Sequence, residues 1–341
     1  MTRRERLAAA VLLAFLPCCV PAQATTYLIR PDGTGDFPTV GAAFAAAQDG
    51  DDVILAAGTY YERDLQLDAS IVLRSENSDP ETTWLDAQWL GQGLAISSGE
   101  VIVQDLGFRN GSHGGGGCVS YSGLYTTFWN CIFEGGDGAP RGTGPGGAVL
   151  AGAQGTFSYC TFRGTVSGAA AYVAPQWYEI VIFDHCLFAD NVGGAIVPNT
   201  EGQIQISYCT IVRTVGAALR NEGPYAQYRL YNVLIADTIG GPALAPDCPN
   251  QPLLSYATCC NFFGNEGGDY PDCLAVWRGA DGNVSLDPKF CDVASGDFRL
   301  ASDSPCAPSP TGCGGIGALG VGCAVSGVQE STWSRLKAAW R

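Results

Sequence analysis

Cleaving a sugar polymer or an ester needs paired carboxylates, an activated nucleophile or a metal, and this chain places few residues for any of them. Its two histidines are His113 and His185. His113 lies in the glycine run Gly111 to Gly117 with no partner nearby in sequence. The one Asp-Asp pair, Asp51-Asp52, precedes a first strand and reads as a turn. Neither the Cys spacing nor the His placement makes a zinc site, and no segment gathers the several oxygens that calcium wants. No metal or cofactor is therefore expected. Five charged residues could still meet if long loops converge: Asp137, Arg141, Asp184, Arg220 and Glu222. Two of their carboxylates facing each other across a cleft would suit attack on a glycosidic bond.

The elements that must position such residues follow from a repeat. The phrase Asn130-Cys131-Ile132-Phe133 recurs as Tyr159-Cys160-Thr161-Phe162, His185-Cys186-Leu187-Phe188, Tyr208-Cys209-Thr210-Ile211 and Asn232-Val233-Leu234-Ile235, with a weaker copy at Leu106. From Leu106 to Val233 the steps are 25, 29, 26, 23 and 24 residues. An apolar residue stands three places earlier in each copy: Val103, Phe128, Phe157, Phe183, Ile206 and Leu230. Cys and the residue two later share one strand face, whereas the residue at −3 breaks that alternation, so a bend lies between. The column of Asn130, Tyr159, His185, Tyr208 and Asn232 falls at that bend, which gives His185 a structural place.

A second phrase, Gly146-Gly147, Gly168, Gly193-Gly194, Gly216 and Gly240-Gly241, opens another short strand. Three short strands per two dozen residues cannot bury an apolar face alone. Stacked about 4.8 Å apart they can. The spacing predicts a right-handed parallel β-helix over residues 25–323. Cys131, Cys160, Cys186 and Cys209 should form one inward column of free thiols, with Phe133, Phe162, Phe188 and Ile211 in the next. Parallel Cβ vectors at the ladder spacing are too far apart for an unstrained disulfide.

Thr39 to Gln48 is expected to be a helical lid over the first coil, with Val40, Phe44 and Ala47 on its packed face. Residues 1–24 read as an export signal, with Arg3, Arg4 and Arg6 before an apolar run too short to span a bilayer and Ala22-Gln23-Ala24 at its end. Taking 24 residues from 341 leaves 317, and losing three Arg and one Glu moves the net charge from −15 to −17. Such acidity excludes nucleic acid and anionic membranes as partners. No further apolar run is long enough to span a membrane, and a monomer is expected. Thirteen of fifteen cysteines remain after cleavage, an odd number. The late ones, in irregular sequence, are expected to form disulfides; connectivity is not readable from sequence, and Cys291–Cys306 and Cys313–Cys323 are the candidate pairs. Residues 324–341 read as a linker and short helix, with Trp333, Leu336, Lys337 and Trp340 on one face.

The stretch Tyr27 to Val40, with Gly50-Asp-Asp-Val-Ile-Leu55 and Gly58-Thr-Tyr-Tyr-Glu62, resembles the opening of pectin methylesterases and other pectin-lyase-like β-helix proteins. Asp287-Pro-Lys-Phe290, Gly296-Asp-Phe-Arg-Leu300, Ser304-Pro-Cys306 and Ile316-Gly-Ala318 resemble the closing segment of secreted bacterial β-helix proteins. The resemblance implies a fold more than a reaction. The esterase motifs do not carry over. Gly117 to Ser122 lacks the expected Gln and Arg, Asp137 stands one place off, and Ser167 follows Gly164-Thr-Val166 where the nucleophilic aspartate would be.

Enzymes of this fold hold their cleft on the strand after each glycine phrase. Counting outward positions there puts Tyr121, Tyr172 and Arg220 in one column, with Trp177, Tyr178, Tyr225 and Tyr228 in nearby turns. Rings stack on sugar faces and Arg pairs with carboxylates, so this is the candidate carbohydrate-binding face. Rings that merely cover a solenoid wall remain the competing account. The sequence thus points to a secreted or surface β-helix that binds polysaccharide or another surface protein. A polysaccharide lyase or hydrolase is the alternative.

Overall fold

The computed structural model describes residues 24–138, 146–175, 179–199, 202–223, 226–245, 254–309 and 312–324. The export signal, Arg141 and the C-terminal tail lie outside them. Three parallel sheets run along one axis, and the chain visits them in turn once per coil. Sheet I has ten strands, from Thr26–Ile29 to Leu254–Thr258. Sheet II has nine, from Gly58–Tyr60 to Asn261–Phe263. Sheet III has six, from Leu65–Leu67 to Ile196–Pro198, and continues as single bridges through Leu219 to Leu244. This is the right-handed parallel β-helix that the repeat predicts.

Like packs on like along the axis. In sheet I, Phe128, Phe157 and Phe183 are register partners and stack at 4.8 and 5.0 Å, with interplanar angles of 4° and 8°. In sheet II, Phe133, Phe162 and Phe188 do the same at 4.8 and 4.5 Å. The two columns meet edge to face, as at Phe157–Phe162. Burying each ring contributes roughly 1.5–3 kcal/mol, and an aromatic pair adds about 0.5–1.5 kcal/mol.

The cysteine column is fully inward: Cys131, Cys160, Cys186 and Cys209 are buried and free. Each thiol sits over two main-chain oxygens at the bend. Cys186 Sγ, for example, lies 3.3 Å from Phe157 O and 3.4 Å from Asp184 O. The residue before each takes a left-handed conformation, with φ between 50° and 57° at Asn130, Tyr159, His185, Tyr208 and Asn232. That single residue turns the chain from sheet I into sheet II. The column runs further than the repeat phrase: Cys259 occupies the bend (φ 54°), and Cys260 is a fifth buried free thiol after it.

The lid is a helix over Val40–Ala46, with Thr39 capping Ala42 N and with Val40, Ala43 and Phe44 buried. Glu62 reaches over from the first coil to accept from Val40 N and Gly41 N. The other end is closed by the 3-10 helix Asp272–Trp277, which buries Leu274, while Tyr270 stacks on Phe262 at 4.7 Å.

Residues 287–309 and 312–323 form an arm that folds back over the outer face of sheet II. Its three short strands are Phe290–Asp292, Asp297–Ala301 and Val321–Cys323. Leu300, Cys306 and Ile316 bury Leu234 and Ala236, and Phe298 packs on Ala189 and Val212. At φ 95°, Gly317 donates to Asn232 O, and a Cβ there would meet Thr210 Oγ1 at 2.6 Å. Only glycine lets the arm lie this close.

The disulfide assignments need correction. Cys313 pairs with Cys259 and Cys291 with Cys323, so neither Cys313–Cys323 nor Cys291–Cys306 forms, and Cys306 is a buried free thiol. Cys273 is also disulfide-bonded. The real bonds join the arm to the last bend and tie the arm's own ends together, contacts across the fold that sequence proximity does not reveal.

Candidate functional site

The strands of sheet III put Val119, Val149, Ala171 and Ile196 in one inward column, and Ser120, Leu150, Tyr172 and Val197 in the next, outward one. Tyr121 is therefore not on the outer face. It is 1% exposed and points into the core beside Phe128 and Phe157. A glycine at positive φ lies three residues before the inward Val119, Ala171, Ile196 and Leu219: Gly116, Gly168, Gly193 and Gly216. In a run of glycines the sequence does not say which one turns, and counting from Gly117 shifts that coil by one. Tyr172 and Arg220 do face outward, but Tyr172 is only 5% exposed and packs on Leu150 and Val197, so its ring is no platform for a sugar.

The cluster at Tyr172 is polar at its rim. The Tyr172 hydroxyl is within hydrogen-bonding reach of Asn199 and Glu222. Burial, with the charge of Glu222 beside it, pushes this phenol up and keeps its proton in place. Arg220 donates to Glu222 at 2.9 Å, so its charge is already met. The other predicted partners lie elsewhere. Asp137 is on the edge between sheets II and III, where Ser167 donates to it. Asp184 ends a sheet I strand and pairs with His185 Nδ1 at 3.0 Å. Arg220 and Glu222 follow sheet III. The four candidates among the described residues thus occupy three different edges of the solenoid, and among them only Arg220 and Glu222 meet. Among the described residues, no group of three or more His, Cys, Asp or Glu is placed to hold a metal ion.

The exposed rings are on the edge between sheets I and II. Trp129 ends its strand at 45% exposure, and Tyr159, His185 and Tyr208 follow in the bend column. Trp129 to Tyr159 is 4.8 Å between ring centres, and Tyr159 to His185 and His185 to Tyr208 are 4.9 Å each. Tyr159 and Tyr208 are 47% and 39% exposed. Ring atoms in contact lie about 3.5–4.0 Å apart. Centres at 4.9 Å with planes within 22° therefore overlap as shingles. The strip is about 15 Å long and runs along the solenoid axis. At its C-terminal end the arm takes over the column, where Asn232 Nδ2 donates to Cys313 O and Gly315 O and Cys259 is bonded to Cys313. The column itself was legible in sequence as the residue before each cysteine. Its exposure was not, because the outward direction at the bend depends on the left-handed residue.

No family model and no curated protein sequence matches the chain. Solved structures do match. A pectin methylesterase from carrot aligns over 76% of this chain and 88% of its own, with a TM-score of 0.52 at 14% identity. The two share the parallel β-helix fold. A pectin methylesterase from Aspergillus niger gives a TM-score of 0.47 at 16% identity, over 78% of this chain and 91% of its own. A pectate lyase gives 0.45 at 14% identity, over 88% and 97%. At these identities the likeness is one of backbone. On this β-helix the outer face of sheet III is built from Ser120, Leu150, buried Tyr172, Val197 and the Arg220–Glu222 pair.

Proposed function

We propose that this protein is a secreted β-helix that holds an extended polysaccharide along the strip Trp129–Tyr159–His185–Tyr208. The observation that carries the reading is the strip itself: part-exposed rings in a line about 15 Å long, on a rigid edge. Apolar ring surface offers the C–H faces of sugars a platform, and a row of rings suits a polymer better than a small molecule. The two disulfides that lock the arm beside it are compatible with an oxidising, extracellular setting.

The test is retention of the purified mature protein on a panel of immobilised polysaccharides, with Tyr159→Ala/Tyr208→Ala as the comparison. Retention weakened at least tenfold in the double variant supports the reading. Equal retention of both proteins moves the site elsewhere and overturns it. Reducing ends, unsaturated products or methanol released from any polymer would replace binding with catalysis, and Glu222→Gln would then show whether sheet III is responsible. Retention on none leaves a protein-contact role in its place.

A further inference from the structure

Resting on the glycan-binding reading, we infer that the strip selects neutral polysaccharides and rejects acidic ones. Polyanion recognition needs guanidinium or ammonium groups free to pair with carboxylates. Here the cations near the strip, Arg229 apart, are already paired. On the sheet II side, Arg163 contacts Glu81 at 2.9 Å and Glu134 at 2.5 Å, so one guanidinium faces two carboxylates. Arg213 is held by Asp190 at 2.5 Å and also donates to Val293 O. Within the strip, any positive charge on His185 is met by Asp184, 3.0 Å away. Asp105, one bend before Asn130, adds a carboxylate whose partner among the described residues is an amide, Asn130 Nδ2. Arg229 lies one coil beyond Tyr208 on sheet I, a single guanidinium against that acidic border.

The whole chain adds to this, with a net charge of −15. A polyuronate approaching the strip would meet repulsion at long range and no unpaired cation in the strip. A neutral glycan meets neither obstacle, and its hydroxyls can still reach Tyr159 and Tyr208 at the strip and part-exposed sheet I side chains such as Gln205. Binding to a neutral chain by ring contact should also be nearly independent of salt, because screening acts on charges and not on apolar contact.

Native affinity electrophoresis tests this with three gels: no polymer, hydroxyethylcellulose as a neutral glucan, and polygalacturonate. The expected result is retardation in the neutral gel that changes less than twofold between about 20 mM and about 300 mM NaCl. Retardation by polygalacturonate should be at least tenfold weaker. The variant Glu81→Gln/Glu134→Gln, which frees Arg163, should gain salt-sensitive retention in polygalacturonate and keep its behaviour in the neutral gel. If that variant fails to fold, Glu81→Gln alone, with a half-exposed side chain, leaves Arg163 one carboxylate instead of two and should show a smaller gain of the same kind. Arg229→Gln should leave the neutral gel unchanged. Wild-type protein held more tightly by polygalacturonate, with steep salt dependence, would overturn the selectivity and leave glycan binding standing. No retardation in either gel, with no binding on the immobilised panel, would sink glycan binding itself.

Discussion

Replacing Phe157 by alanine tests whether the stacked rings are what couples one coil to the next. Phe157 is fully buried, stacks on Phe128 at 4.8 Å and Phe183 at 5.0 Å, and meets Phe133 and Phe162 edge to face. Truncation removes on the order of 120 Å² of buried apolar surface, which at ~25 cal/mol per Å² is about 3 kcal/mol. Two lost stacks add about 0.5–1.5 kcal/mol each, so the expected cost is about 4–6 kcal/mol, at or just above the upper end for buried Phe→Ala. In a solenoid the loss falls on the two coil interfaces that Phe157 joins, and the chain should then unfold in two steps. Urea titration followed by far-UV circular dichroism and tryptophan fluorescence reads both the cost and the splitting. Leu124→Ala, at a 75% exposed position, is the control and should stay within about 0.5 kcal/mol of wild type. A cost below about 1.5 kcal/mol for Phe157→Ala, with one sharp transition, would refute the ring column as the link between coils.

Two further outcomes follow from the same structure. Asp86 is nearly buried, and burial alone would push its carboxyl up, but Arg109, Asn110 and Gln88 N outweigh this and hold it below the usual range. Its contribution should be complete above about pH 4 and disappear as the pH falls through the lowered folded value. Asp86→Ala should therefore cost about 1.5–3 kcal/mol at pH 7 and less at pH 2, measured by denaturant titration at each pH. Equal costs at both would show that the ion pair with Arg109 is not what stabilises. In thiol labelling, Cys118, Cys131, Cys160, Cys186, Cys209, Cys260 and Cys306 should resist reagent in the native protein, since burial pushes Cys118 and Cys260 up to about 12 and Cys306 to about 11. All seven should label after denaturation without reductant, whereas Cys259, Cys291, Cys313 and Cys323 should need reduction first; a mapped Cys160–Cys186 bond would contradict the ladder.

The coil was legible because two periods coexist in the sequence. Alternation by two within each strand marks Cys131 and Phe133 as inward, and the residue three places earlier, Phe128, only fits if the chain bends between. The helical lid was legible from Thr39 and the alanines that follow. What stayed hidden were relations between coils and segments far apart in sequence. The glycine runs fix the outward direction in sheet III through whichever glycine turns, which is why Tyr121 lands in the core while Tyr172 lands outside. The arm's disulfides join positions 54 and 32 residues apart, and no local rule pairs them. Of the four charged candidates among the described residues, Asp137, Asp184 and the Arg220–Glu222 pair stay apart because a solenoid has three edges and each bend is confined to its own. Only Arg220 and Glu222, two residues apart, were certain to be neighbours.

The bend column separates what the fold requires from what the surface presents. Asp105, Asn130 and Asn232 take the left-handed conformation there at little cost, and each uses or receives a side-chain hydrogen bond. Tyr159, His185 and Tyr208 hold the same conformation with bulkier side chains, at a cost of about 1 kcal/mol each. Stacking returns about 0.5–1.5 kcal/mol per ring pair, roughly the same amount. Stability alone therefore gives no clear preference for rings over asparagines in these three coils. The difference that remains is on the outside: an asparagine column would present amides, whereas this one presents a line of ring surface that nothing in the described chain covers until the arm arrives at Asn232. That is why the strip, rather than the buried tyrosines of sheet III, is where a ligand should be sought.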